Sequence, residues 1–120
     1  MAATMLRLGD LRCFAEANNA WDLPVVFARD SYLYGTGKTF VSSAYSANSG
    51  AECCVILDAS TQSEVCLTLG QLLAYNGIVG QSDAAGICWV DEISWNAAQH
   101  TFAQFIEVIE YNGQLVAYIR

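Results

Sequence analysis

A single histidine, His100, stands in the whole chain of 120 residues, so one molecule has no histidine cluster with which to hold a metal. Basic residues are nearly as sparse: five Lys and Arg face twelve Asp and Glu, for a formal charge of −7. That balance repels phosphate backbones and anionic lipid surfaces, which excludes nucleic acid and membrane as expected partners. Charge of either sign is scarce, at 14% against roughly 25% in an ordinary soluble protein. No apolar run reaches the roughly twenty residues of a membrane span, and the leading MAATMLRLGDLR lacks a signal-peptide core. The cysteines, Cys13, Cys53, Cys54, Cys66 and Cys88, are odd in number and contain no C-x-x-C pair. They read as reduced, buried thiols in a cytoplasmic protein.

What the chain has in excess is apolar surface. Hydrophobic residues make up 54%, too many for so few polar groups to cover, and the expectation is one domain over residues 1–120 that buries part of its surface in a homo-oligomer such as a dimer.

The stretch YGTGKTF, Tyr34 to Phe40, carries the closing letters of a nucleotide-binding loop. The full motif G-x-x-x-x-G-K-[ST] places its first glycine five residues before Gly37, where this chain has Tyr32. It also needs a helix directly after the lysine to receive the phosphate, and Thr39 to Tyr45 has strand character. A glycine-bearing hairpin turn is the reading that remains. Cys88 and His100 offer a nucleophile and a base only if folding joins them, and scattered thiols make a chance pairing the simpler account. Cys53 and Cys54, consecutive on a strand, point to opposite faces and make poor disulfide partners for each other.

Periodicity predicts a helix over about 10–20, with Leu8, Leu11, Phe14 and Ala15 along one side and Asp10 capping its start. Residues 5–8 read as either helix or strand. An antiparallel meander over 25–29, 31–34 and 38–45 follows Pro24, then a loop at 46–50 and a doubly covered strand at 53–57. Thr61 and Glu64 have capping-box spacing for a second helix running to Tyr75 with Val65, Leu69, Leu72 and Leu73 inward. Strands are predicted over 87–95, 101–111 and 114–120, the last two joined by the hairpin signal Asn112-Gly113. No letter-by-letter repeat stands out, although the two halves have similar element order.

The C-terminal sheet holds the candidate site. Alternation puts Trp89, Asp91, Ile93 and Trp95 on one face. A two-residue turn pairs Tyr111 with Gln114, Ile109 with Val116, Glu107 with Tyr118 and Phe105 with Arg120. One hairpin face is then almost wholly apolar (Ile106, Val108, Leu115, Ala117, Ile119) and forms the seat for the helices. The other presents Phe105, Glu107, Tyr111 and Tyr118, too aromatic to be left in water. Trp89, Asp91, Trp95, Phe105, Glu107, Tyr111 and Tyr118 are therefore the candidate ligand-binding or interface residues. Their cover is either a second subunit or a cationic or amphiphilic small molecule held against aromatic walls.

The fold class expected is α+β: a twisted, largely antiparallel sheet with two helices on one face, divided into two similar helix-plus-three-strand halves. This order resembles in outline the paired βαβββ modules of the vicinal-oxygen-chelate family and, less closely, the nuclear-transport-factor-like cone. No family motif carries the resemblance. With one histidine the first family's metal positions have no counterpart, so neither activity nor residues transfer. The function expected is that of a non-enzymatic, oligomeric binding or accessory protein without a cofactor. The alternatives are an acidic module that binds a basic protein, of inhibitor or immunity type, and a small hydrolase or isomerase that uses Asp91 and Glu107 as acid and base.

Overall fold

The computed structural model describes residues 5–31, 35–49, 52–58, 66–76, 78, 80–94 and 97–120, with backbone alone at 30–31, 35–36, 47–49, 52–53, 91–94 and 97–100. The elements run α1 (Leu8–Asn18), β1 (Val25–Ser31), β2 (Gly35–Phe40), β3 (Ser43–Ser49), β4 (Glu52–Asp58), α2 (Leu69–Leu73), β5 (Gly86–Ser94), β6 (Ala97–Phe102), β7 (Ile106–Tyr111) and β8 (Gln114–Ile119). The class is α+β, as expected, and antiparallel contacts predominate, but the strands form two mixed sheets rather than one. Two four-stranded sheets form, β3-β4-β5-β6 and β2-β1-β8-β7, each a pair of antiparallel hairpin contacts flanking a central parallel one. A lone parallel bridge, Ser31 to Glu92, joins them.

Both parallel contacts cross between the halves of the chain, β1 with β8 and β4 with β5. The two halves are also copies of one another in hydrogen bonding. Val26↔Phe40 in the first hairpin recurs as Cys88↔Phe102, 62 residues further on, and Val25↔Ala117 recurs with the halves exchanged as Val55↔Ile87. The leading segments swap too. Leu6 N–H donates to Ala103 O (2.8 Å) while Leu67 N–H donates to Val41 O (2.9 Å); Ile87 N–H donates to Leu6 O while Val25 N–H donates to Leu67 O. Behind this lies a short repeat, LRLGDL at 6–11 and LTLGQL at 67–72. In each copy the first two leucines flank an exchanged bridge residue, Arg7 or Thr68, and the glycine lets the helix start close on the other half's backbone. A Cβ on Gly70 would stand 3.1 Å from Trp21 O, and one on Gly9 2.9 Å from Asp83 Cβ.

The exchange buries one core between the halves. Leu8, Leu11 and Ala15 of α1 and Leu69, Leu72 and Leu73 of α2 enter it with Val25, Phe27, Val55, Leu57, Ile87, Trp89 and Ile119. Phe27 and Trp89 occupy equivalent positions of the two copies and meet edge to face, centroids 5.5 Å apart, a geometry that adds about 0.5–1.5 kcal/mol to the area they bury.

Several sequence expectations are corrected. Helix α1 starts at Leu8, so Asp10 lies inside it and its carboxylate accepts from Arg7 N–H. Residues 5–7 are extended, drawn into the exchanged pairing. The second helix begins at Leu69, because Thr68 and Gln71 make the capping box: Gln71 N–H donates to Thr68 Oγ1 and Thr68 N–H to Gln71 Oε1. The Thr61–Glu64 box lies outside the described residues. Residues 66 and 67 precede the helix, and Leu67 accepts from Val25 N–H and donates to Val41 O instead. The meander is broken, since β3 pairs with β4 rather than β2, and the loop expected at 46–50 is strand through Ser49. Residues 101–111 divide into β6 and β7, and each half has four strands, not three. Cys54, Val55, Ile56 and Leu57 are all buried, as a doubly covered strand requires.

Candidate functional site

In YGTGKTF, Gly35 to Phe40 is strand β2, and the next element is strand β3, not the helix a phosphate site needs. Gly37, at φ +151°, lies within that strand opposite Arg29, so it is a strand glycine and not a turn residue. Tyr32 lies outside the described residues.

The C-terminal hairpin forms in the expected register: Glu107↔Tyr118, Ile109↔Val116 and Tyr111↔Gln114 face each other, and Phe105 and Arg120 exchange both backbone hydrogen bonds, at 2.9 and 3.0 Å. Asn112 and Gly113 both have positive φ, 54° and 78°, the type I′ geometry that matches strand twist.

The aromatic face of this hairpin meets groups from its own chain. The sheet β2-β1-β8-β7 curls until its two outer strands touch: Tyr111 Oη donates to Lys38 O (3.1 Å) and Phe40 packs on the Tyr111 ring, centroids 5.6 Å apart. Lys38 Nζ sits 5.3 Å from the centre of the Tyr118 ring, and the Arg120 guanidinium 5.1 Å from that of Phe105. Arg120 also pairs with Glu107, Nε to Oε1 3.2 Å. The cations that an aromatic, acidic surface attracts are thus Lys38 and Arg120.

Trp89 is elsewhere, 2% exposed in the core beside Phe27. The structure therefore brings Phe105 together with Glu107 through Arg120, and Tyr111 together with Tyr118 through β2, and places Trp89 apart from all four. The Asp91 side chain and the whole of Trp95 lie outside the described residues. Paired-acid catalysis needs two carboxylates in one shielded site; Glu107 is half exposed and held by Arg120. Val90, not Cys88, stands opposite His100. Among the described residues, no group of three or more His, Cys, Asp and Glu is placed to hold a metal, and no helix is long and apolar enough to cross a membrane.

The face expected to seat the helices does so only at its base. Ile106, Ala117 and Ile119 reach the core, whereas Val108 is 40% and Leu115 56% exposed. Register places these two and Glu110 on one side of the hairpin's outer end, which overhangs the core. Among the described residues strand β7 pairs through its backbone with β8 alone, and Tyr111 at its outer end touches β2. Sequence reasoning missed this patch because it assigned the whole apolar face to the core; the signal available was its distance from the helices near the turn.

Comparison with protein-family profiles, curated proteins and solved structures finds no match. The outline resemblance to paired βαβββ modules is left without support, and the named elements of each half run helix then four strands rather than strand, helix and three strands.

Proposed function

We propose that the protein is a non-enzymatic binding or accessory protein that works as a homo-oligomer, with the outer end of the β7–β8 hairpin as its contact surface. The observation that carries this reading is the exposure of Val108 and Leu115, 40% and 56%, side by side at the end of a sheet. Val108 lies on the edge strand β7 and Leu115 beside it on β8, and an exposed apolar edge is a standing invitation to pair with another strand. A copy of the same hairpin provides a matching edge, and two-fold association is the commonest way a small domain covers such a surface. The low share of charge, 14%, points the same way.

A second reading, an acidic module for a basic protein, is favoured by Glu107 and Glu110 on the same exposed strand and by the net charge of −7. A cationic ligand on the aromatic face is less well supported, since Lys38 and Arg120 already lie on those rings.

Leu115→Glu separates these readings. It adds charge to the apolar patch at a position where exposure leaves the fold undisturbed. For self-association, light scattering is expected to give a mass above the 13.0 kDa of one chain, returning to one chain in the variant. A 13.0 kDa species at every concentration, together with retention on a basic protein matrix that 0.5 M salt abolishes, would instead favour the acidic module.

A further inference from the structure

We propose that the outer face of the β3-β4-β5-β6 sheet is a binding site for a small phenol, received between Tyr45 and Phe102 at a place that the matching sheet, β2-β1-β8-β7, fills with the chain's own Tyr111 ring. Register sets four residues in one row across the first sheet: Tyr45↔Ile56, Ile56↔Cys88 and Cys88↔Phe102. The middle of the row is its floor, since Ile56 and Cys88 join Cys54 in a small buried cluster separate from the main core. The two ends are open: Tyr45 is 47% and Phe102 39% exposed. Gly86 lies two residues before Cys88 on the same face. A Cβ there would stand 2.6 Å from Met5 Sδ and 3.6 Å from the Phe102 ring, so the bare glycine leaves that end of the floor to a thioether and a ring, an adaptable apolar wall. Cys13 and Cys66 are exposed and lie outside this cluster, correcting the expectation that all the thiols are buried.

The matching sheet shows what such a row accepts. Its own row is Glu107↔Tyr118, Tyr118↔Val26 and Val26↔Phe40. There the Tyr111 ring packs on Phe40, centroids 5.6 Å apart, and its Oη donates to Lys38 O at 3.1 Å. The first sheet keeps the groups that receive this ring and lacks the ring itself. Phe102 stands where Phe40 does, and the His100 carbonyl where that of Lys38 does, since His100 faces Val90 as Lys38 faces Ala28. Ser49 holds the place of Tyr111, since it faces Glu52 as Tyr111 faces Gln114. A serine has nothing to lay on Phe102, which is exposed where Phe40 is half-buried. A ligand that replaces the absent side chain needs a flat apolar ring and one hydroxyl that donates to a backbone carbonyl, the apolar walls and single polar anchor of a small-molecule site. Ile56 and Tyr45, both uncharged, stand where Tyr118 and Glu107 hold the cations Lys38 and Arg120, which favours a neutral ring.

The test titrates the isotope-labelled full chain with p-cresol, the phenol of a tyrosine side chain, while its amide resonances are followed. Saturable shifts are expected at Tyr45, Ile56, Cys88 and Phe102. Toluene, which has the ring without the hydroxyl, is expected to bind about threefold to tenfold more weakly, the worth of one hydrogen bond. Ser49→Tyr gives the first half the ring that the second already carries, and is expected to abolish p-cresol binding while the circular dichroism spectrum is unchanged. Phe102→Ala, at an exposed side chain, is expected to weaken binding about tenfold and serves if Ser49→Tyr does not fold. Equal binding of toluene and p-cresol, binding unchanged by these substitutions, or no saturable shift at millimolar p-cresol would overturn the proposal. So would movement of the same four amides on dilution alone, which would assign the row to a second copy of the chain.

Discussion

At the scale of the residue, burial sets what Cys88 does with a proton. Its thiol, ordinarily near 9.0, is pushed up to about 11 by burial first and by Cys54 second. Below pH 9 folded and unfolded chains both keep the proton. Between 9 and 11 the unfolded chain releases it while the fold holds it, so stability falls as pH rises through that window. The loss is expected to approach about 2 kcal/mol at its upper end. Urea unfolding at pH 8 and pH 10.5 tests this: the wild type is expected to lose more stability between the two than Cys88→Val, and equal losses would count against the buried thiol. Residue types alone showed that Cys88 belongs to a strand, but its partner Cys54 became visible only through a parallel pairing between distant segments. The same holds for Lys38, whose neighbour Tyr118 is reached across β1. Trp89 illustrates the converse, since strand alternation defines its face but not whether that face looks to the core.

At the scale of the element, local signals worked where the chain closes on itself and failed where it pairs with the other half. Asn112-Gly113 specified the last hairpin and its whole register, because turn geometry and pairing are settled within a few residues. Helix α2, of five residues, is too short to hold itself in water, so its placement depends on the Thr68–Gln71 box and on the segment before it pairing with β1. The sequence reading took Thr61 with Glu64 as the capping pair; the pair that caps α2, Thr68 with Gln71, has the same spacing and was not singled out. Thr68→Ala is expected to cost about 1 kcal/mol in chemical unfolding, and Gln71→Ala less, since it frees one backbone donor that water can reach. A Thr68→Ala protein as stable as the wild type would show that the box contributes nothing to the start of α2.

At the scale of the whole molecule, the two halves are equivalent and interlocked, a property hidden from the sequence because the shared letters are confined to LRLGDL and LTLGQL while core positions differ, as with Phe27 and Trp89. Under that equivalence Arg120 stands to Met5 as Asp58 stands to Cys66, a gap that residues 59–65 span. A circular permutant that joins Arg120 to Met5 through a linker of the same length and opens the chain within 59–65 is therefore expected to fold with the same circular dichroism spectrum; failure to fold would argue against the equivalence. The same architecture leaves the outer end of β7–β8 beyond the shared core, and the functional account stands on that overhang. Amide hydrogen exchange of residues 106–111, followed from micromolar to millimolar protein, tests it most directly. Self-association through this hairpin predicts protection that rises with concentration for β7 and falls back in Leu115→Glu, whereas exchange of these amides that is the same at every concentration would contradict it.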